Sequence, residues 1–116
     1  MKDKRVQEVY RKKINQETSR ISWKELERFF ASGATVFVTV ELDLVEVAFQ
    51  ISEDNKDQVE QWLAESKIGK VTDKQATTWY EADAEVWAVV VSPYVLIQEL
   101  KNPVNMSPNS QVDQTG

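Results

Sequence analysis

Three short segments of the chain combine a polar helix-start signal with apolar residues at helical spacing. In "ISWKEL", Ser22 is followed three positions later by Glu25, and apolar residues stand on both sides of this pair. This is the pattern of a capping box inside a hydrophobic staple, in which side chains satisfy the free N–H groups of the first helical turn. "LDLVEV" and "VTDKQA" repeat the pattern with Asp43 and Thr72 as the capping residues. The three segments therefore predict three helix starts.

The segment after Asp43 also fits a second structure. Val45, Val47 and Phe49 alternate with polar or small residues, and this alternation is typical of a half-buried strand. The cap favours a helix, whereas the β-branched side chains favour a strand. We predict a helix over 44–51, with a strand as the alternative.

The other elements follow from apolar spacing and turn residues. Val6, Tyr10 and Ile14 form a stripe that predicts a first helix over 3–18, and its many charged residues place it at the periphery. The remaining predicted elements are a helix from Trp23 to about Ala31 closed by Gly33, a strand over 34–40, a helix ending near Ser66, a short strand around Gly69, a helix after Thr72 and a strand over 85–91.

The segment after the last of these strands begins with a proline. Because Pro93 lacks a backbone N–H, "SPYVLIQEL" cannot simply continue a central strand. Residues 94–100 form either an edge strand, which we favour, or a short helix capped by Ser92. Beyond these, 102–116 are rich in Pro, Asn, Ser and Gln, and this composition predicts a disordered tail.

These elements predict one globular domain over 1–101. We expect an α/β fold, with α+β as the other form, in which about five helices cover both sides of a sheet of about three or four strands. A chain of 116 residues with 41% hydrophobic and 28% charged residues has the composition of a soluble globular protein. This length suffices for a core without disulfide or metal support.

The charge and the missing residue types exclude several classes of function. The net charge of −5 repels nucleic acid and anionic membrane surfaces, so we expect neither as a partner. The sequence contains no Cys and no His, which excludes thiolate and imidazole chemistry. With no glycine-rich phosphate loop, no apolar leader and no membrane-length apolar segment, we expect no cofactor and a cytoplasmic protein.

Several of these segments together resemble a known family. The blocks "ISWKELERFFASGA", "LDLVEVA", "QVEQWL", "ATTWY" and "WAVVVSPYVLIQE" are similar to those of the bacterial domain of unknown function 2288 family. The likeness runs from about Trp23 to Glu99. The resemblance implies a small, uncharacterised bacterial domain, and it implies no catalytic residue.

Two acidic segments are candidates for chemistry. Asp43 and Glu46 form a candidate acid/base pair, but two carboxylates in a first helical turn more simply stabilise the helix dipole. "SEDNKD" places three carboxylates within five residues, but it lacks the glycine and the spacing of a calcium loop. We therefore predict no metal site, and we interpret Asp54 and Asp57 as the cap and first-turn charge of the next helix.

Aromatic residues are the better candidates for a binding surface. Trp79 and Tyr80 precede the acidic segment "EADAE", and we expect this pair to be partly exposed. Tyr94 stands in the predicted edge strand, where a partner strand or a second copy could pair. Our leading hypothesis is a non-enzymatic module that binds a protein partner or itself through these residues. The alternative is a carboxylate-based enzyme or small-molecule-binding domain that uses Asp43 and Glu46.

Overall fold

Five strands form one mixed sheet in the computed structural model, which describes residues 4–100. The strands are β1 (Ser19–Ser22), β2 (Thr35–Val38), β3 (Ile68–Lys70), β4 (Glu85–Val91) and β5 (Tyr94–Glu99). The α-helices are α1 (Lys4–Glu17), α2 (Glu27–Ala31), α3 (Leu44–Ser52), α4 (Lys56–Ala64) and α5 (Asp73–Glu81). The strand order is β1-β4-β5-β2-β3, with β2 and β5 parallel and the other neighbours antiparallel. The prediction of one small domain with helices packed on a sheet is confirmed in the α+β form, which was the alternative to α/β, and the sheet has five strands and not three or four.

Helices and apolar side chains cover both faces of the sheet, as predicted. On the first face, α1, α3 and α4 pack on a buried cluster that includes Val38, Val47, Phe49, Val89 and Leu96. On the second face, α2, α5 and the turn before α2 pack on a cluster that includes Trp23, Trp79, Val86, Val95 and Ile97. Because helices lie on both sides, consecutive residues of β5 from Val95 to Gln98 are all buried.

The predicted edge position of 94–100 is wrong. The segment is a strand, but β5 lies between β4 and β2 in the middle of the sheet. Pro93 lies in the turn between β4 and β5, so its missing N–H removes no ladder hydrogen bond. The edge strands among the described residues are β1 and β3.

The predicted capping box at Ser22 is also wrong. Ser22 is the last residue of β1, where it pairs with Glu85, and its side chain forms no cap. A 3-10 turn over Trp23–Leu26 follows, so the continuous helix predicted from Trp23 is reduced to the five residues of α2. The backbone N–H of Trp23 donates to the carbonyl of Ala84 at 2.9 Å, so the pairing of β1 with β4 continues one residue beyond Ser22 and Glu85. Sheet pairing thus takes precedence over the local cap.

The other two predicted caps are confirmed. Thr72 Oγ1 accepts from the N–H of Gln75 at 3.1 Å, and Gln75 Oε1 accepts from the N–H of Thr72 at 2.9 Å. Residues 44–51 lie in α3, so the helix and not the alternative strand is observed. Buried Gln98 donates to the carbonyls of Thr39 and Leu42 at 2.8 and 2.7 Å, which fixes the loop that leads to α3.

Four helices end in the same backbone motif. The residue two positions after α2, α3, α4 and α5 has a positive φ, and these residues are Gly33, Asp54, Ser66 and Asp83. In each case its N–H and the next N–H donate to carbonyls of the last helical turn, as in a Schellman motif. The predicted role of Gly33 in closing a helix is confirmed. At the other three ends a non-glycine residue adopts the left-handed conformation.

The first helix packs on α3 through few side chains. Ile14 is its buried residue, and the ring of Tyr10 meets Phe49 edge-on with centroids 5.9 Å apart. Val6 is 62% and Tyr10 38% exposed, so the predicted stripe is only partly buried. The predicted tail over 102–116 lies outside the described residues.

Candidate functional site

Asp43 is a helix cap in the structure. Its Oδ1 accepts hydrogen bonds from the N–H groups of Val45 at 2.9 Å and of Glu46 at 3.4 Å. These amides belong to the first turn of α3, where no carbonyl of the same helix can satisfy them. The acceptor oxygen of Asp43 is therefore committed to the backbone.

Glu46 points away from the cap and joins α3 to α1. Its carboxylate accepts from Nε and Nη2 of Arg11 at 2.9 and 3.3 Å, and from Nε2 of Gln50 at 2.6 Å. The guanidinium of Arg11 also lies 4.1 Å from the ring centroid of Phe49. Such a two-pronged contact fixes both side chains and holds α1 against the domain.

The surroundings of Glu46 keep its carboxylate ionised. Partial burial raises its pKa, whereas the hydrogen bonds from Gln50 and Arg11 and the charge of Arg11 lower it, and the net pKa lies below its usual value. A general acid needs a pKa near the working pH, so a lowered value is unfavourable for that role. The structure gives Glu46 a position suited to an ion pair.

The two carboxylates do not meet in one cavity. Asp43 borders a shallow cavity of about 370 Å³ that is also lined by Leu42, Trp87 and Gln98. Glu46 is not among the residues that line it. The alternative hypothesis assigned both residues to one polar site. In the structure, Asp43 is hydrogen-bonded to backbone amides, whereas Glu46 is hydrogen-bonded to Arg11 and Gln50.

Trp79 is buried, so the expected partial exposure of this side chain is wrong. It is 4% exposed and packs edge-on against Trp23, with ring centroids 5.0 Å apart. Its Nε1 donates to Oε2 of Glu99 at 3.1 Å, which satisfies the indole N–H at the end of β5. Trp79 is thus a core residue that ties α5 to the sheet.

Tyr80, the next residue, lies at the surface as expected and is 52% exposed. It borders a shallow groove of about 430 Å³ between α2 and α5. We call this groove the Tyr80 surface, and its main lining residues are Glu27, Phe30, Asp73, Ala76, Tyr80 and Glu81. Three of these six side chains are carboxylates and none is basic.

A cation already lies near the ring of Tyr80. Nζ of Lys24 is 5.1 Å from the ring centroid and 3.4 Å from Oδ1 of Asp83. All these side chains are well exposed, so solvent and salt weaken the contacts. The geometry nevertheless shows that the ring is positioned to receive an ammonium group.

Tyr94 lies on the opposite face of the sheet. It is 44% exposed at the start of β5 and borders a groove of about 620 Å³ between α4 and the sheet. We call this the Tyr94 groove, and its apolar lining residues are Val36, Ile51, Val59, Leu63, Ile68 and Val91. Tyr80 and Tyr94 therefore belong to two different surfaces.

The acidic segment between α3 and α4 has a structural role. The cap of α4 is Asn55, whose Oδ1 accepts from the N–H of Gln58 at 3.3 Å, so the prediction of Asp54 as the cap is wrong. Asp57 lies in the first turn, as predicted. Within residues 4–100, no group of three or more acidic side chains is arranged to hold a metal ion.

None of the helices described there is long and apolar enough to cross a bilayer.

Comparison with known proteins places the chain in a family. A family model described as "Protein of unknown function (DUF2288)" matches residues 9–99. The chain belongs to the DUF2288 family. A search of curated proteins gives no match for this DUF2288 domain. Its structure is similar to the NMR solution structure of PA1075 from Pseudomonas aeruginosa, with a TM-score of 0.71 and 37% identity over 91% of this chain and 95% of that chain.

Sequence reasoning missed two residues of the DUF2288 domain, one in the ion pair of Glu46 and one at the Tyr94 groove. Arg11, one of the charged residues of the first helix, was assigned no partner, although it pairs with Glu46, 35 positions away. Leu63 was not singled out as a surface residue, yet it is 51% exposed at the Tyr94 groove. Adjacent helical positions differ in direction by about 100°, so neighbouring apolar residues of a helix with one buried face need not both point to the core.

Proposed function

We propose that this DUF2288 domain is a non-enzymatic interaction module of the bacterial cytoplasm. Its Tyr80 surface binds a partner protein through a segment that carries both basic and apolar side chains. The observation that carries the proposal is the half-exposed ring of Tyr80 in a groove with three carboxylates. Tyrosine is enriched among the residues that dominate binding energy at protein interfaces.

Charge complementarity supports a basic partner. Glu27, Asp73 and Glu81 border the same groove, and their combined field attracts lysine and arginine side chains. Phe30 and Ala76 supply an apolar floor, so a purely ionic segment would leave part of the groove unfilled. A segment with leucine-like and lysine-like residues satisfies both parts.

The contact of Lys24 with Tyr80 supports the same partner chemistry. An exposed cation over an aromatic ring contributes about 0.5 to 1 kcal/mol, and more where water is excluded. A lysine or arginine of the partner can replace Lys24 over the ring and bury the contact. The bound state would then hold a stronger version of an interaction that is already present.

An NMR titration of the ¹⁵N-labelled chain tests the proposal with a synthetic peptide of alternating leucine and lysine. We expect saturable shifts at Phe30, Ala76 and Tyr80, and weaker binding at higher salt. A serine–lysine peptide of equal charge should bind much more weakly. Tyr80→Ala should weaken binding about thirtyfold, as for a typical hot-spot residue.

Tyr94→Ala is the matched control, because it removes an exposed tyrosine from the opposite face. This variant should bind the leucine–lysine peptide as tightly as the wild type. Shifts spread evenly over acidic residues of both faces would contradict the proposal, as would wild-type affinity of Tyr80→Ala. A rise in molar mass with concentration, without any peptide, would instead indicate that a second copy occupies the surface.

The alternative of an enzyme or small-molecule-binding domain that uses Asp43 and Glu46 has less support. The acceptor oxygen of Asp43 is engaged by backbone amides, and both oxygens of Glu46 are engaged by side chains. Substrate would have to displace these partners before either carboxylate could act.

The cytoplasmic location is the expectation drawn from the sequence.

A further inference from the structure

We propose that the Tyr94 groove binds a small amphipathic acid, a molecule with a compact apolar body and one carboxylate. The groove of about 620 Å³ is bounded by α4 on one side and by the sheet on the other. Small-molecule sites typically measure about 300 to 1,000 Å³ and combine apolar walls with a few polar groups. This site lies on the opposite face from the Tyr80 surface and does not depend on the proposed function.

The apolar part of the groove is open to a ligand. Leu63 on the α4 wall is 51% exposed, although it is a large apolar side chain. Gly69 lies on β3 in the floor of the groove, where it carries no side chain that would fill the space. An apolar body in this space gains about 25 cal/mol for each Å² of apolar surface removed from water.

One end of the groove carries a positive charge. Lys70 pairs with Val36 across the sheet, and its Nζ lies 3.9 Å from the position that a Cβ on Gly33 would take. The ammonium group therefore extends towards the start of β2. Tyr94 stands at the same end, one residue before the first pair of β2 with β5. Lys70 and Tyr94 thus mark a common polar end.

The groups at this end are available for an anionic head. Within residues 4–100, Lys70 forms no ion pair, and the side-chain hydroxyls of Ser92 and Tyr94 form no hydrogen bond. The carboxylates that border the groove, those of Asp54 and Glu60, come from the other wall. A ligand carboxylate is therefore attracted to the Lys70 end and repelled from the opposite wall.

An NMR titration of the full ¹⁵N-labelled chain with octanoate, octanol and acetate tests the site. We expect octanoate to cause saturable shifts at Leu63 and Gly69 and to bind more tightly than octanol, while acetate causes none. Lys70→Met should weaken octanoate binding about fivefold to tenfold and leave octanol binding unchanged. Lys56→Met is the matched control, since Lys56 borders the groove beside the two carboxylates, and it should change octanoate binding less than twofold.

Each variant should unfold at the wild-type temperature, since both lysines are exposed. Equal affinity for octanoate and octanol, or equal effects of the two lysine substitutions, would overturn the assignment of the polar end. The site itself is overturned if no probe gives saturable shifts, or if the shifts lie outside the groove. Binding of an apolar peptide in place of all three probes would likewise overturn it in favour of a protein-binding groove.

Discussion

Replacing Asp43 by alanine should lower the free energy of unfolding by about 1 to 2 kcal/mol. The substitution removes the acceptor for the N–H groups of Val45 and Glu46, at 2.9 and 3.4 Å. A lost N-cap costs about 1 kcal/mol, and a lost negative charge at a helix N-terminus costs about 0.3 to 1 kcal/mol more. Because Asp43 is exposed, alanine creates no cavity that would add to this loss.

Urea denaturation followed by tryptophan fluorescence measures this change, and thermal denaturation provides a second readout. A loss of 1 kcal/mol lowers the melting temperature by about 4 to 8 °C in a domain of this size. Asp43→Asn keeps an acceptor oxygen and loses only the charge, so its loss should be about 0.3 to 1 kcal/mol. Glu41→Ala is the charge-matched control, because Glu41 is exposed and is free of ion pairs with the described residues.

The reasoning is refuted if Asp43→Ala unfolds at the same urea concentration as the wild type and Glu41→Ala. It is also refuted if asparagine and alanine cost the same, because the acceptor oxygen would then make no contribution. Either outcome would return Asp43 to the list of candidate ligand-binding residues.

Three further predictions concern other contacts. The contribution of the Glu46 carboxylate is the free energy of unfolding of the wild type minus that of Glu46→Gln, both measured in urea. It should be fully present at pH 7, and it should fall as the pH drops below about 4.3, the pKa of an unperturbed glutamate, and through the lowered pKa of the folded state. An unchanged difference at pH 3 would contradict the ion pair. Trp79→Phe should lower the free energy of unfolding by about 1 kcal/mol more than Trp23→Phe, because only the indole N–H of Trp79 forms a hydrogen bond. Equal losses of the two variants in urea denaturation would argue against that bond. Ser66→Gly should raise the free energy of unfolding by about 0.5 to 1 kcal/mol, while Gly33→Ala should lower it by about as much; thermal denaturation checks both, and changes of the same sign would count against the left-handed helix ends.

Patterns within a few residues were predictable from the sequence. The reciprocal bonds between Thr72 and Gln75 span three positions, and so does the cap from Asp43 to Glu46. The chemistry of such a motif is complete within the segment itself. The starts of α3 and α5 therefore followed from the sequence.

Sheet partners were beyond local patterns. "SRIS" ends in a residue that fits a helix cap, yet β1 is held by β4, and the contact of Arg20 with Glu85 spans 65 positions. The central place of β5 depends on its parallel pairing with β2, for which no short motif exists. Pro93 misled the prediction because its effect depends on whether it falls in the strand or in the turn.

The helix ends show a related limit. Gly33 is the glycine among the four left-handed residues, and glycine is the residue type that predicts this conformation. Asp54, Ser66 and Asp83 adopt it although their residue types do not predict it. Aspartate and serine are compatible with many conformations, so the Schellman bonds decide the outcome. The sequence therefore predicted one of the four left-handed residues.

The candidate surfaces were predicted in part. Trp79 and Tyr80 are adjacent on a helix, so they point in directions about 100° apart, and only Trp79 fills the core. The sequence did not reveal which one, because Trp79 is selected by packing against Trp23 and by the carboxylate of Glu99. Tyr94 was found as an exposed residue, but its groove depends on α4 and β3, which meet only in the folded chain.

Site-specific photo-crosslinking in the native cell tests the central claim most directly. A photoreactive phenylalanine derivative at position 80 should form a crosslink to a partner peptide that contains both basic and apolar residues, identified by mass spectrometry. The same derivative at position 94, on the other face of the sheet, should not crosslink that peptide. No protein crosslink from position 80, or the same crosslinks from both positions, would contradict the claim that the Tyr80 surface binds a partner.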